Sequence, residues 1–215
     1  MTEPVPPREF HEVGWRIVRN EACAYFRTES LTSGAALVEA ICRLADAMDL
    51  YPHVDFGSDG VTVRLPSTAP DQWIWLSERY LELARQISAA ANELGVAVDP
   101  AGLQIVQVMI DALVIPDVMP FWRAVLGYRD VGGIELLDRH VHGPPFSFQQ
   151  MDEPRPQRNR IHVDVFVPHD QAEARVAAAI AAGGHVVNDK NAPEYWTLAD
   201  VEGNEVDVAP WPDRD

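Results

Sequence analysis

Along residues 160–167, His162 and Asp164 alternate with Ile161, Val163, Val165 and Val167. The same alternation sets Glu205 and Asp207 against Val206 and Val208, and Gln107 and Asp111 against Val106, Val108 and Ile110. A fourth segment sets Ser147 and Gln149 against Phe146 and Phe148. Successive side chains of a strand point to opposite faces. Each segment can therefore bury one apolar face under a helix and turn polar groups onto a concave sheet surface. Imidazole and carboxylate groups placed there can carry protons. Together with amide oxygens they can offer donors to a divalent ion. Without an ion, the same patch can hold an organic ligand by hydrogen bonds and aromatic contacts.

Other groups with chemical potential are more scattered. His140 and His142 have the spacing of two that puts both on one face of a strand, as in a metal pair, but Asp138-Arg139 and Gly143-Pro144-Pro145 mark an exposed strand end. His169 opens a helix and is expected in solvent. Trp122, Tyr195 and Trp196 are candidates to line a pocket, with core packing as the alternative. Cys23 and Cys42 form neither a CxxC pair nor a zinc pattern, which fits a reducing compartment.

The elements that position these groups can be read from the same pattern. The C-terminal half reads as a strand over 105–111, a helix over 118–126 ended by Gly127, and strands over 135–141 and 146–151. After a polar stretch come a strand over 160–167, an alanine-rich helix over 170–182 ended by Gly183-Gly184, and strands over 185–187, 195–201 and 205–211. The order is βαβββ, repeated. In the N-terminal half, strand character spans 15–26. A helix capped within Ser30–Ser33 carries Leu37, Ile41, Leu44 and Met48 on one face, and Tyr51-Pro52-His53 breaks it. Residues 60–65 alternate as a strand. Ser77 caps a second helix with Tyr80, Leu83, Ile87 and Leu94 on one face. Gly95–Gly102 has the punctuation of a linker. The expectation is an α+β protein with a domain at 1–95, a linker at 96–103 and a second domain at 104–215.

The 215 residues suit two small domains. The net charge is −16, with Asp and Glu in excess in both halves, so neither offers the basic surface that a nucleic acid or an anionic membrane requires. The acidic balance favours a cationic small ligand or serves solubility. No apolar run approaches the roughly 18 residues of a membrane span. The polar, proline-rich start has no signal-peptide hydrophobic region, so the expected location is cytoplasmic.

Residues 13–94 resemble the pterin-4a-carbinolamine dehydratase family. The resemblance is carried by Gly14-Trp15, by the proline turn, by Val61-Thr62-Val63-Arg64-Leu65 and by the closing helix from Leu76 to Ala84. The resemblance implies a site of histidines and an aspartate, suited to proton transfer. Here those positions hold Leu50, Tyr51, Thr68 and Tyr80; Pro52 is kept and His53 follows it. The implied fold is retained and the implied dehydratase chemistry is not.

Residues 104–211 resemble the glyoxalase/bleomycin-resistance/dioxygenase group, the vicinal oxygen chelate fold. Four segments carry this: Phe121–Tyr128, Phe146–Gln150, Asn159–Val165 and Trp196–Glu205. Metal-dependent members hold a divalent ion with one ligand from each of four strands. The resemblance places those ligands at Gln107, Gln149, His162 and Glu205, with Gln149 departing from the usual carboxylate and Gln150 as the alternative. Such a set suits Ni²⁺, Zn²⁺, Mn²⁺ or Fe²⁺. Trp122, Gln150, Asp164 and Trp196 are the expected substrate contacts.

The resemblance implies a lyase, isomerase or dioxygenase type of enzyme acting on a small oxygenated substrate, with Glu205 as general base or ligand and His162 as ligand or proton carrier. One alternative is a binding or resistance module without metal. Another is a 4a-hydroxytetrahydrobiopterin dehydratase with a displaced site. A homodimer or higher oligomer is expected, held through Trp73, Trp75 and Tyr80 of a scaffold N-terminal domain.

Overall fold

The computed structural model describes residues 5–19, 21–66, 76–154 and 163–211. The chain divides into two compact units, Met1–Ile105 and Val106–Asp215.

The N-terminal unit opens with helix α1 (Pro7–Glu12), then strands β1 (Arg16–Val18) and β2 (Glu21–Arg27). Helix α2 (Leu31–Met48) starts where the Ser30 hydroxyl accepts from the Ser33 amide, and ends at Asp49 in the left-handed region. Strands β3 (His53–Phe56) and β4 (Gly60–Pro66), helix α3 (Glu78–Glu93) and strand β5 (Ala97–Val98) complete it. The sheet order is β1-β2-β4-β3, with β5 added to β2. Ala22, Ala24, Phe26, Val61, Val63 and Leu65 face a core filled by Leu37 and Ile41 of α2 and by Leu81, Leu83 and Ile87 of α3. Cys23, Tyr25, Thr62 and Arg64 therefore point to the other face.

Three features depart from the sequence reading. The short α1 was not expected, since six residues give too little periodicity to detect. His53 opens a strand rather than sitting in a turn. Part of the expected linker joins the sheet, because Ala97 and Val98 pair with Arg27 and Phe26.

The C-terminal unit is two βαβββ modules. The first is β6 (Val108–Ala112), α4 (Ile115–Leu126), β7 (Arg129–Val131), β8 (Glu135–Leu137) and β9 (Phe146–Gln150). The second is β10 (Asp164–Pro168), α5 (Ala172–Ala181), β11 (His185–Asn188), β12 (Trp196–Ala199) and β13 (Glu205–Trp211). The sheets run β6-β9-β8-β7 and β10-β13-β12-β11. In each the first strand lies parallel to the last, as the same βαβββ connection repeated requires. Ile110, Phe146, Phe148, Val206 and Val208 form the core with Phe121, Trp122 and Val125 of α4 and Val176 and Ala179 of α5. The protein is thus α+β throughout. No helix among the described residues is long and apolar enough to cross a membrane.

The expected strand over 135–141 stops at Leu137, because Asp138 folds the chain back. Its carboxylate accepts the amides of His140, His142 and Gly143 at 2.9–3.0 Å. His140 and His142 therefore lie in a turn rather than on a strand face, with their rings stacked 6.2 Å apart.

Candidate functional site

The apolar alternation leaves both C-terminal sheets with a polar face turned away from the helices. In the first module this face carries Met109 and Asp111 of β6, in register with Ser147 and Gln149 of β9. Glu135 of β8 is opposite Ser147. Gln107, just before β6, joins them: its Nε2 donates to Ser147 Oγ and lies as close to Met109 Sδ, both at 2.9 Å. Ser147 Oγ in turn donates to Glu135 Oε1 at 2.8 Å. A hydrogen-bonded line thus runs from an amide through a hydroxyl to a carboxylate.

In the second module Asp164 lies in register with Asp207, and Ala199 with Glu205. The Thr197 hydroxyl donates to Asp207 Oδ1 at 2.6 Å. Glu205 and Asp207 are half-buried and Asp164 is exposed. Three carboxylates thus occupy neighbouring positions of one sheet face.

Gln107, Gln149, Asp164 and Glu205 thus all lie on the open faces. Gln150 points elsewhere: its Nε2 donates to Leu113 O at 2.6 Å and Met151 O at 3.0 Å, tying the end of β9 to the entry of α4. Trp122 and Trp196 belong to the helix side, not to the open face. Trp122 is 2% exposed, and Trp196 is half-buried against the same core. The period of two decides this for Trp196, which shares a face with Leu198 and lies in register with Val208. His162 lies outside the described residues.

The described donors do not by themselves fit a tightly held metal. Gln107, Gln149 and Glu205 supply one carboxylate and two neutral amides, a weak set for a first-row ion. Among the described residues no group of three or more His, Cys, Asp or Glu is placed to hold one.

Asp200 and Glu202 were not singled out by sequence reasoning, yet they join the two modules. Asp200 is fully buried and accepts the Trp122 indole N–H at 2.9 Å. Glu202 accepts the amides of Leu113 and Val114, both at 2.7 Å, at the start of α4. An anion there complements the unpaired N–H groups and dipole of a helix N-terminus. The sequence signal was the turn composition Asp200-Val201-Glu202-Gly203-Asn204, inside the Trp196–Glu205 segment that carries the resemblance.

In the N-terminal unit the positions of the implied dehydratase site are dispersed. Leu50 and Tyr80 lie in the core, 8% and 7% exposed. Burial raises the pKa of the Tyr80 phenol. Tyr51 is exposed, and its hydroxyl donates to Asp49 Oδ1 at 2.7 Å. Pro52 is half-buried, and Thr68 lies outside the described residues, as do Trp73 and Trp75. His53 pairs with Arg64 across β3 and β4, on the sheet face opposite the helices. It is therefore on the other side of the sheet from Leu50 and Tyr80.

Residues 107–209 match the family model described as the glyoxalase-like domain. No curated protein matches the chain. Among solved structures, a glyoxalase/bleomycin resistance protein/dioxygenase family enzyme from Burkholderia phytofirmans is 17% identical, with TM-score 0.39, over 48% of this chain and 95% of its own. A variant of the fosfomycin resistance protein FosX from Listeria monocytogenes, complexed with Mn(II) and a dihydroxypropylphosphonic acid, is 10% identical, with TM-score 0.40, over 49% of this chain and 88% of its own. A transcriptional coactivator/pterin dehydratase from Brucella melitensis is 20% identical, with TM-score 0.36, over 41% of this chain and 99% of its own.

Proposed function

We propose that the C-terminal unit is an enzyme of the vicinal oxygen chelate type that binds a small oxygenated molecule on its open sheet faces. The reaction classes that suit it are isomerisation, lyase and ring-opening chemistry. The observation that supports this most is the hydrogen-bonded line Gln107–Ser147–Glu135, which holds an ordered polar group on an otherwise open sheet face. Gln107, Gln149 and Asp164 bind and orient the substrate oxygens. Glu205 takes the proton from the carbon beside a substrate carbonyl and returns it, the work of a positioned carboxylate. His162 is assigned as a second proton carrier or as a ligand. A divalent ion, if bound, would polarise a substrate oxygen; its affinity would rest on His162 and Glu205.

The second reading is a module that sequesters a small cationic compound without metal. The register of Asp164 with Asp207, two residues along β13 from Glu205, favours it. In either case the N-terminal unit serves as a scaffold, with assembly into a homodimer as the expected state. Tyr80 fills its own domain core, which leaves Trp73 and Trp75 as the aromatic candidates for that contact.

The test uses the full chain, its metal content by elemental mass spectrometry, and small 2-oxo and 2-hydroxy acids and aldehydes as probes. Binding is followed at the Met109 methyl and at the Thr197 methyl, in register with Asp207, and turnover by product analysis. Turnover that falls by about 100-fold or more in Glu205→Gln, with the Met109 shift retained, supports the enzyme. Saturable shifts by organic amines without turnover of any probe favour sequestration. No shift at Met109 or at the Thr197 methyl with either probe set sinks both readings.

A further inference from the structure

The face of the N-terminal sheet that points away from the helices holds a cavity of about 150 Å³. Its walls come from three adjacent strands and from the segment after β5. Strand β2 supplies Cys23, β4 supplies Thr62 and Arg64, β3 supplies Asp55, and residues Gly102–Ile105 line the rest. This segment is held down on the sheet. The Asp99 amide donates to Tyr25 O at 2.8 Å, and Gly102 lies so close to the Tyr25 ring that a Cβ there would come within 2.3 Å of it. Only glycine permits that approach, so the chain is laid closely against the sheet there.

The polar groups of the cavity are organised. Arg64 Nη2 donates to Asp55 Oδ2, and the other carboxylate oxygen of Asp55 stands 3.5 Å from His53 Nε2. That histidine nitrogen is buried and makes no hydrogen bond. The Arg64 side chain is 16% exposed, unusually low for arginine on a sheet face that none of the described helices covers. The thiol of Cys23 is 2% exposed, and burial, with a lesser push from Glu21, raises its pKa to about 12. It stays neutral and acts as a small apolar wall beside Val18, Leu103 and Ile105.

We propose that this cavity is a binding site for a small neutral molecule with an adjacent hydrogen-bond acceptor and donor, of the cyclic amide or ureide class. The size sets the first limit. Cavities of about 150 Å³ accept a single ring of about six heavy atoms. The charge sets the second: the two charged side chains of the lining, Asp55 and Arg64, form an ion pair with each other, so a charged ligand group must compete with one of them. The hydrogen-bonding groups set the third. A carboxylate accepts and a guanidinium donates, so a ligand edge with N–H beside C=O engages both, while the Thr62 hydroxyl and Gln104 amide can serve either role. The apolar wall takes the ring face. This site is independent of the C-terminal proposal. It also lies on the opposite sheet face from the Leu50 and Tyr80 positions that the dehydratase resemblance implies.

The probe is 2-imidazolidinone, a neutral five-membered ureide, titrated into the full-length protein with methyl groups followed by NMR. The expected result is a saturable shift confined to the methyls of Val18, Leu103 and Ile105, with Val206 and Val208 of the other unit unchanged. Cys23→Leu, which fills the cavity, should abolish the shift. Thr62→Val, which keeps the shape and removes one hydroxyl, should weaken it by about fivefold without lowering the melting temperature, and it serves where Cys23→Leu does not fold. No saturable shift in the native chain overturns the proposal. So does a shift that survives both substitutions, or one that acetate or methylammonium reproduces at the same concentration.

Discussion

The indole Nε1 of Trp122, on α4 of the first βαβββ module, donates a 2.9 Å hydrogen bond to Oδ2 of Asp200, in the turn before β13 of the second. Both residues are buried. The same carboxylate accepts the amides of Glu202 and Asn204 and the Asn204 side-chain amide, at 2.8–2.9 Å. One buried anion thus organises a turn and ties it to a helix in the other module.

Removing that anion strands four donors. Asp200→Ala should destabilise the C-terminal unit by about 2–4 kcal/mol, and Trp122→Phe, which keeps most of the packing, by about 1–3 kcal/mol. Urea unfolding of the full chain, followed separately in the two units by NMR, checks both values. Equal losses in the N-terminal unit would contradict the division into two units.

Asp138 predicts a pH dependence. Burial acts to raise its pKa and is the largest single influence, but the three amides of His140, Gly143 and His142 together outweigh it, with help from the His140 charge, and the net shift is downward. A carboxylate depressed in the folded state contributes stability above its unfolded pKa and loses it as pH falls through the folded value. The stability gap between the native chain and Asp138→Ala should therefore be full near neutral pH and close as pH falls through the carboxylate range. Melting temperatures of the two proteins between about pH 7 and pH 3 test this; a gap that widens on acidification would refute it.

The two cysteines should differ sharply in reactivity. Cys42 is exposed, whereas Cys23 is buried with its pKa raised to about 12. The thiolate is the reactive form. Iodoacetamide at pH 8 should modify Cys42 alone in the native chain and both residues in denaturant, as read by mass spectrometry of the intact protein. Prompt native labelling of Cys23 would mean that the structure around its thiol opens readily.

The N-terminal unit should not dehydrate a pterin carbinolamine above the spontaneous rate. Leu50 and Tyr80 are in the core and His53 faces the other side of the sheet. The full chain and His53→Ala should be indistinguishable in a stopped-flow assay. A fast native rate lost in the variant would show that His53 has taken over the proton transfer.

The sequence alone determined what is local. The period of two in Val206, Val208 and their polar neighbours, the Ser30 cap of α2 and the glycine that ends α4 each depend on neighbouring residues, and all were legible. So was the order βαβββ, twice. The placement of Gln107 and Glu205 on open faces followed from alternation, although His162 lies where the structure describes nothing. What only the tertiary structure decided depends on partners far along the chain. Trp122 read as a pocket candidate until Asp200, 78 residues away, claimed its N–H. His140 and His142 read as one strand face until the Asp138 carboxylate turned the backbone. His53 read as a turn residue until the pairing of β3 with β4 set it beside Arg64. Alternation along a strand is a property of the backbone at each residue; which strands pair, and which buried donor meets which acceptor, is settled only when the chain closes on itself.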